Sequence, residues 1–197
     1  MSASPVEIDR VSKSFGLHQV LDGLTLTLQP GGTYCLMAPS GSGKTTLLRM
    51  LVGLERPSSG RISGLGRGQT SMMFQEDRLC ETLTAVENVA LLHPDRRVSR
   101  AGIRADLSEI LPARSLDQPV CELSGGMRRR VSLACAISYP GRMVILDEPF
   151  TGLDDELRRE VIGFVSRKQG GRTLLVSTHN RADVTALGAE LITLGAA

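Results

Sequence analysis

The chain has no tryptophan and only 3% aromatic residues, yet hydrophobic residues reach 41% and charged residues 22% of its 197 positions. That is ordinary globular composition, and it excludes a disordered chain, a disulfide-stapled miniprotein and a collagen-like fibre. A surplus of one charge sign is also missing. The 23 basic and 21 acidic residues leave +2, which excludes electrostatic capture of nucleic acid or acidic lipid as the main activity. No run approaches the roughly 18 apolar residues that span a bilayer, so any membrane-embedded part is expected from another chain. The first ten residues include Glu7, Asp9 and Arg10 and lack the apolar stretch of a secretory signal. Cys35, Cys80, Cys121 and Cys135 form no C-x-x-C pair and have no histidine at metal-ligand spacing, which points to reduced thiols in a cytosolic protein. Neither an internal repeat nor a low-complexity tail is present. Glycine, with 21 residues, is the one unusual abundance. At about 150 residues per domain, the length fits one compact domain with an appended subdomain.

Val6, Ile8 and Val11, then Leu24, Leu26 and Leu28, alternate as in strands, and Asp22-Gly23 reads as the turn between them. Apolar runs at Thr33 to Met37, Met72 to Phe74, Met143 to Leu146, Thr173 to Ser177 and Leu191 to Leu194 read as short strands. Helical spacing marks Lys44 to Leu51, two stretches between Thr84 and Pro112, Met127 to Ser138 and Asp155 to Lys168. Strand and helix alternate around buried strands, so the expected fold is α/β with a mainly parallel sheet, a β subdomain in front and a helical insert.

Three segments carry chemistry. Ala38-Pro39-Ser40-Gly41-Ser42-Gly43-Lys44-Thr45-Thr46 lies between an expected strand and an expected helix, the setting of a phosphate-binding loop. Glycines let successive N–H groups converge on phosphate oxygens, the helix N-terminus adds partial positive charge, Lys44 suits the β- and γ-phosphates, and the Thr45 hydroxyl suits Mg²⁺. An ordinary Gly-Ser turn is the competing reading. Ala38 stands where the motif has glycine, and a positive φ there would strain alanine by on the order of 1 kcal/mol. Met143 to Leu146 runs into Asp147 and Glu148, at the strand end where α/β sheets place ligands. Asp147 suits Mg²⁺ through water and Glu148 suits polarising an attacking water, against the alternative of a plain acidic turn. Leu123-Ser124-Gly125-Gly126-Met127 precedes Arg128-Arg129-Arg130; Ser124 is a natural N-cap, and the segment is either a second anion site or a capped helix with a solvated basic face.

In order, the loop at Ala38 to Thr46, Gln75, Leu123 to Gly126, Val144 to Glu148, Gly152-Leu153-Asp154 and His179 resemble the nucleotide-binding subunit of ATP-binding cassette (ABC) transporters. Separations of 23 residues from Ser124 to Asp147 and 31 from Glu148 to His179 agree with the family. The resemblance implies a P-loop NTPase of ABC type forming a single domain over 1–197. Within it, 1–75 and 140–197 hold an antiparallel β subdomain and the nucleotide-binding core, and 76–139 hold a short helical subdomain. It implies ATP and Mg²⁺ as ligands, with Phe15 stacking on adenine, Gln75 sensing Mg²⁺ and water, Glu148 as general base and His179 on the γ-phosphate. It also implies that Ser124, Gly125 and Gly126 cover the nucleotide of a second copy or paralogue in a head-to-tail dimer, with Asp154 at the dimer contact. For Phe15 core packing is the alternative, and for Asp154 a helix N-cap. The implied partners are integral membrane permease subunits and a solute-binding protein, with no nucleic acid, and the implied location is peripheral on the cytoplasmic face of the cell membrane.

The stretches Gln75 to Leu79 and Leu83 to Val89 are similar to importers of nitrate, sulfonate and taurine, and 49 residues from Gln75 to Ser124 make the helical insert short. Cys135 stands where many relatives carry an arginine, which bears on hydrogen bonding between motifs. Export, lipoprotein release or cell division is the competing setting on the same fold. A nucleic-acid or ribosome clamp is disfavoured by the single cassette, the charge balance and the missing coiled-coil insertion, and a non-hydrolysing sensor by the presence of Glu148 and His179.

Overall fold

The computed structural model describes residues 4–39, 41–95 and 97–194; Ser40, a member of the glycine-rich loop, lies outside the described residues. Strands β1 (Val6–Phe15), β2 (His18–Leu28) and β3 (Thr33–Met37) lead into helix α1 (Lys44–Leu51), followed by β4 (Ser59–Ser63) and β5 (Thr70–Met73). Helices α2 (Ala85–Leu92), α3 (Arg100–Ser108) and α4 (Gly125–Ser138) follow, with short 3-10 turns at Ala113–Ser115 and Val120–Glu122. The chain then alternates β6 (Met143–Asp147), α5 (Asp155–Lys168), β7 (Thr173–Ser177), α6 (Arg181–Leu187) and β8 (Glu190–Thr193). Two compact units result: Met1–Met72 with Gly141–Ile145 and Gly171–Ala197, and Met73–Pro140 with Leu146–Gly170.

In the first unit, β1 pairs antiparallel with β2 and with β4, giving the sheet order β2-β1-β4. A five-stranded sheet has the order β5-β6-β7-β3-β8, and β3 runs parallel to both β7 and β8. All five residues of β6 and of β7 are buried, which is why these strands read as unbroken apolar runs rather than alternating ones. One core gathers Val6, Ile8 and Leu28 of the antiparallel sheet, Leu36 of β3 and Leu47, Leu48 and Leu51 of α1. Fully burying each such leucine stabilises by about 1.5–3 kcal/mol, so α1 is held to β3 by its apolar face.

Two sequence expectations need correction here. Asp22-Gly23 does not turn the chain: β2 runs through it, and the reversal falls at Gly16-Leu17. The pairing register slips between Val11↔Leu24 and Lys13↔Leu21, and the Gly23 N–H donates to Ser12 Oγ at 2.9 Å. A bulge takes a left-handed glycine as readily as a hairpin does, so the dipeptide alone does not separate the two. The expected set of strands and helices is corrected as well: β4 follows Pro57 and α6 follows β7, and neither was in it.

In the second unit, α2 packs on α3 and α4, and α4 on α5. Helix α2 starts with a capping box, Thr84 N–H to Glu87 Oε2 at 2.9 Å and Glu87 N–H to Thr84 Oγ1 at 3.3 Å. The Thr84 N–H and hydroxyl hold the Glu87 carboxyl below its ordinary range. Buried Asn88 ties down the approach to this helix: its Nδ2 donates to the carbonyls of Cys80, Leu83 and Thr84, and its Oδ1 accepts from the Cys80 N–H at 2.8 Å. Lys168 of α5 reaches Asp106 of α3 at 2.6 Å and Glu109 at 3.1 Å.

Candidate functional site

The glycine-rich loop follows β3 and opens α1. Gly41 and Gly43 take φ of +80° and +82°, conformations open to glycine and costly for other residues. Gly43 is constrained twice, because a Cβ there would meet the Val20 carbonyl oxygen at 2.7 Å. As N-cap of α1 it offers no side-chain hydrogen bond, and the first backbone bond of the helix runs from Leu47 N–H to the Gly43 carbonyl. The N–H groups of Thr45 and Thr46 precede that bond and have no acceptor within the helix. Ser42 is buried, and its Oγ has no hydrogen-bond partner among the described residues. An orphaned hydroxyl, two left-handed glycines and uncapped helix donors together fit an anionic oxygen ligand.

Ala38 is buried and does not have a positive φ; among the described residues the only non-glycine positions that do are Arg10 and Glu148. The strain that alanine would carry in a left-handed conformation therefore does not arise. Pro39 and Thr45 are exposed, while Lys44 and Thr46 are half-buried. Lys44 Nζ stands 3.3 Å from His179 Nε2. An ammonium can only donate, so Nε2 is placed to accept in this pair. His179 follows β7, and the residues around it are fixed: the Thr178 N–H donates to the Leu36 carbonyl at 3.2 Å and its hydroxyl donates to buried Asp183. The Asn180 N–H donates to Thr178 Oγ1 at 3.1 Å. Phe15, at the end of β1, is 50% exposed with Lys13 Nζ 4.7 Å from its ring centre, so core packing is not its role.

In the second unit, β6 ends at buried Asp147, and Glu148 follows at φ +50°. A glutamate in the left-handed region costs of order 1–3 kcal/mol and persists only where its surroundings over-determine it. They do so through Arg129 of α4. Its Nη1 donates to the carbonyls of Phe74 and Gln75 at 2.8 and 2.7 Å, and its Nη2 to those of Asp147 and Glu148 at 2.5 and 3.0 Å. The Arg129 side chain is 13% exposed. Burial pushes its pKa down while Asp77, Asp147 and Glu148 push it up, and a guanidinium remains charged under such opposition. Asp77 also accepts from Ser132 Oγ at 3.1 Å. The Arg129 hydrogen bonds and the strain at Glu148 are the features of this candidate site that sequence reasoning missed. Cys135 is a buried thiol pushed up to about 12 mainly by burial; the hydrogen bonding between motifs in this unit comes from Arg129, not from its position.

Ser124 caps α4, its Oγ accepting from the Met127 N–H at 3.3 Å. Gly125 and Gly126 have ordinary φ, and a Cβ on either would meet nothing within 4 Å. Among the described residues nothing in this chain's own fold requires glycine there. Asp154 is the N-cap of α5, accepting from the Leu157 N–H at 2.9 Å, so the cap reading holds. Gln75 is exposed. The sequence-predicted residues thus divide between the units: the glycine-rich loop, Phe15 and His179 lie in one, and Gln75, Ser124 to Gly126, Asp147, Glu148 and Asp154 lie in the other.

A buried parallel strand, a left-handed glycine loop and an uncapped helix carrying Lys44 define the class, a P-loop nucleotide-binding fold. The ABC transporter family model matches residues 21–151. The chain belongs to the ABC transporter family. It is 34% identical over 204 residues to the sulfate/thiosulfate import ATP-binding protein CysA of Thermosynechococcus vestitus, covering 96% of this chain and 61% of that one. It is 37% identical to the aliphatic sulfonates import ATP-binding protein SsuB 1 of Burkholderia lata, covering 98% and 61%. The chain thus spans about 61% of the length of these curated relatives. The dimeric structure of MJ0796, a bacterial ABC transporter cassette, superposes with a TM-score of 0.83 at 25% identity, covering 96% of this chain and 94% of the cassette. A post-hydrolysis state of that cassette, bound to ADP and Pi, gives 0.82.

Proposed function

We propose that this chain is the ATP-binding and ATP-hydrolysing subunit of a membrane transporter that imports a small oxyanionic solute, working as a head-to-tail dimer beneath permease subunits. The observation that carries the reading is the loop before α1, where Gly41 and Gly43 are left-handed, Ser42 Oγ is orphaned and Lys44 meets His179 at 3.3 Å. Residues 38–46 cradle the phosphates, Phe15 stacks on adenine, and His179 contacts the γ-phosphate. Glu148 accepts a proton from the attacking water, which Gln75 helps to orient.

Among the described residues no group of three or more His, Cys, Asp or Glu could hold a metal ion. Thr45, Asp147 and Gln75 are the residues that would hold Mg²⁺ together with phosphate oxygens and water, which suits its preference for few protein ligands. When bound it neutralises charge developing on the phosphates.

Gly125 and Gly126, bare and unrequired by the chain's own fold, support the reading that Ser124 to Gly126 closes over the partner's nucleotide, with Asp154 beside it. No helix among the described residues is long and apolar enough to cross a membrane, and permease subunits supply the path. Exposed Leu91 and Leu92 on α2 support docking of another chain on the helical unit. The importers CysA and SsuB 1 support oxyanion uptake, with a solute-binding protein as a further partner, and a place on the cytoplasmic face.

The test is a steady-state ATPase assay with dimerisation measured by light scattering. Lys44→Ala should lose nucleotide binding. Glu148→Gln should bind Mg-ATP, dimerise and turn over at least about 10²-fold more slowly. A Glu148→Gln protein that stays monomeric at saturating Mg-ATP, or retains full turnover, overturns the reading. Co-purification with an exporter would reverse the direction assigned.

A further inference from the structure

We propose that Arg129 is the positioning residue of the hydrolytic site, a single guanidinium that ties the Gln75 loop and the Glu148 turn to α4. The proposal rests on the reading above that Gln75 and Glu148 act on the attacking water. Four carbonyl oxygens converge on the planar fork of Arg129, those of Phe74 and Gln75 on one nitrogen and those of Asp147 and Glu148 on the other. Phe74-Gln75 follows β5 and Asp147-Glu148 ends and follows β6, neighbouring strands of one sheet, and the guanidinium ties the two segments together where that pairing stops. The geometry needs arginine, because only a rigid fork presents two donor edges at once. A second tie, Ser132 Oγ to Asp77 at 3.1 Å, anchors the far side of the same loop to the same helix.

The arrangement also accounts for Glu148. Its left-handed backbone is unfavourable for glutamate, and the hydrogen bonds to its own carbonyl and to that of Asp147 supply the constraint that holds it there. Helix α4 begins at the exposed Ser124 to Gly126 segment. Arg129 lies five residues further on, about 7.5 Å along the axis. Displacement of that helix end by whatever binds Ser124 to Gly126 therefore carries the backbones of Gln75 and Glu148 with it. Arg129 works through these two residues and does not itself touch the reacting atoms.

Arg129→Gln, Arg129→Lys and Ser132→Ala test this in the full chain, by turnover, by affinity for a fluorescent ATP analogue and by hydrogen exchange of the backbone amides. Arg129→Gln should lower kcat by about 10²-fold, the usual consequence of misplacing a catalytic group by about 1 Å, while nucleotide affinity stays within threefold. Amides of 74–77 and of 147 and 148 should exchange at least tenfold faster, with the rest of α4 unchanged. Arg129→Lys should recover only part of kcat, since an ammonium cannot bridge both segments. Ser132→Ala keeps the guanidinium and should speed exchange at 74–77 alone. The exchange readout is independent of hydrolysis: wild-type exchange at both segments in Arg129→Gln overturns the proposal whatever the activity. So does a parallel loss of affinity, turnover and α4 protection, which would mark a merely structural arginine. Should Glu148→Gln lose turnover while Arg129→Gln keeps it, the hydrolytic reading stands and the positioning role falls. A wild-type protein without nucleotide binding or turnover would sink the hydrolytic reading, and this proposal with it.

Discussion

Replacing Glu148 with alanine and, separately, with glycine turns its backbone conformation into a measurable sign. Both substitutions remove the carboxylate, so charge and side-chain interactions cancel in the comparison, and the Arg129 bond to the carbonyl of residue 148 is available to both. At an ordinary φ, alanine is the more stable of the two by about 0.5–1 kcal/mol, because glycine loses more freedom on folding. At φ +50° alanine keeps a steric penalty of about 1–2 kcal/mol that glycine escapes. The difference therefore reverses, leaving Glu148→Gly more stable than Glu148→Ala by about 0.5–1 kcal/mol. For a chain of this size that is a Tm difference of about 1–4 °C. Paired urea titrations and calorimetric scans resolve it. Turnover should fall by at least about 10²-fold in both, so stability and activity part company at one residue. A Glu148→Ala protein more stable than Glu148→Gly would refute the left-handed conformation, and with it the strain attributed to the site.

The two loop glycines should differ. Gly41→Ala meets only the dihedral penalty of about 1–2 kcal/mol, whereas Gly43→Ala also drives a Cβ to 2.7 Å from the Val20 carbonyl and 2.8 Å from Leu21 Cδ2, for a total of about 2–4 kcal/mol. Urea midpoints check the order, and equal values would contradict it. Asn88→Ala removes four hydrogen bonds to Cys80, Leu83 and Thr84 and should destabilise by about 2–4 kcal/mol with an unchanged urea m-value. Native thiol titration at pH 8 should show two fast groups, exposed Cys80 and Cys121, and two that react only on unfolding. Burial, and for Cys35 the nearby Asp183, pushes the thiols of Cys35 and Cys135 up to about 11 and 12. Four fast thiols in folded protein would rule this out.

Where one physical signal dominates, residues alone locate the element. Strands β3 and β7 and helices α1 and α5 fall on the expected boundaries because an apolar run between breakers, or a stripe closed by a cap such as Asp154, admits one solution. Strand β4 was missed because Ser59, Gly60 and Arg61 are exposed and polar, and pairing with β1, not burial, makes them a strand. Helix α6 was legible in principle: Asn180 caps its start through the Ala182 N–H, and Gly188 ends it in a left-handed conformation. With seven residues and one buried side chain, Asp183, it offers no apolar stripe to read. The glycine-rich loop was legible as a turn between strand and helix, whereas the irrelevance of glycine at Ala38 required its dihedral.

Arg129 marks the limit of reading composition. Arg128, Arg129 and Arg130 are indistinguishable as letters, and a run of three arginines after a helix cap reads as one solvated basic face. A helix turns by about 100° per residue, so consecutive side chains cannot share an environment. Arg128 points to Glu81 at 3.5 Å in a partly exposed pair, which is worth little. Arg130 is buried near Glu160 and Asp154, and burial pushes its pKa down. Arg129 alone meets four backbone carbonyls. Its side-chain ion partner is Asp77, at 3.8 Å; backbone acceptors carry no sequence signature, since every residue supplies one, so a side chain whose hydrogen bonds go to main chain cannot be found by pairing residue types. Its identity can be inferred only from a demand elsewhere: Glu148 sits in a backbone conformation it would not choose, and some buried donor has to hold it there.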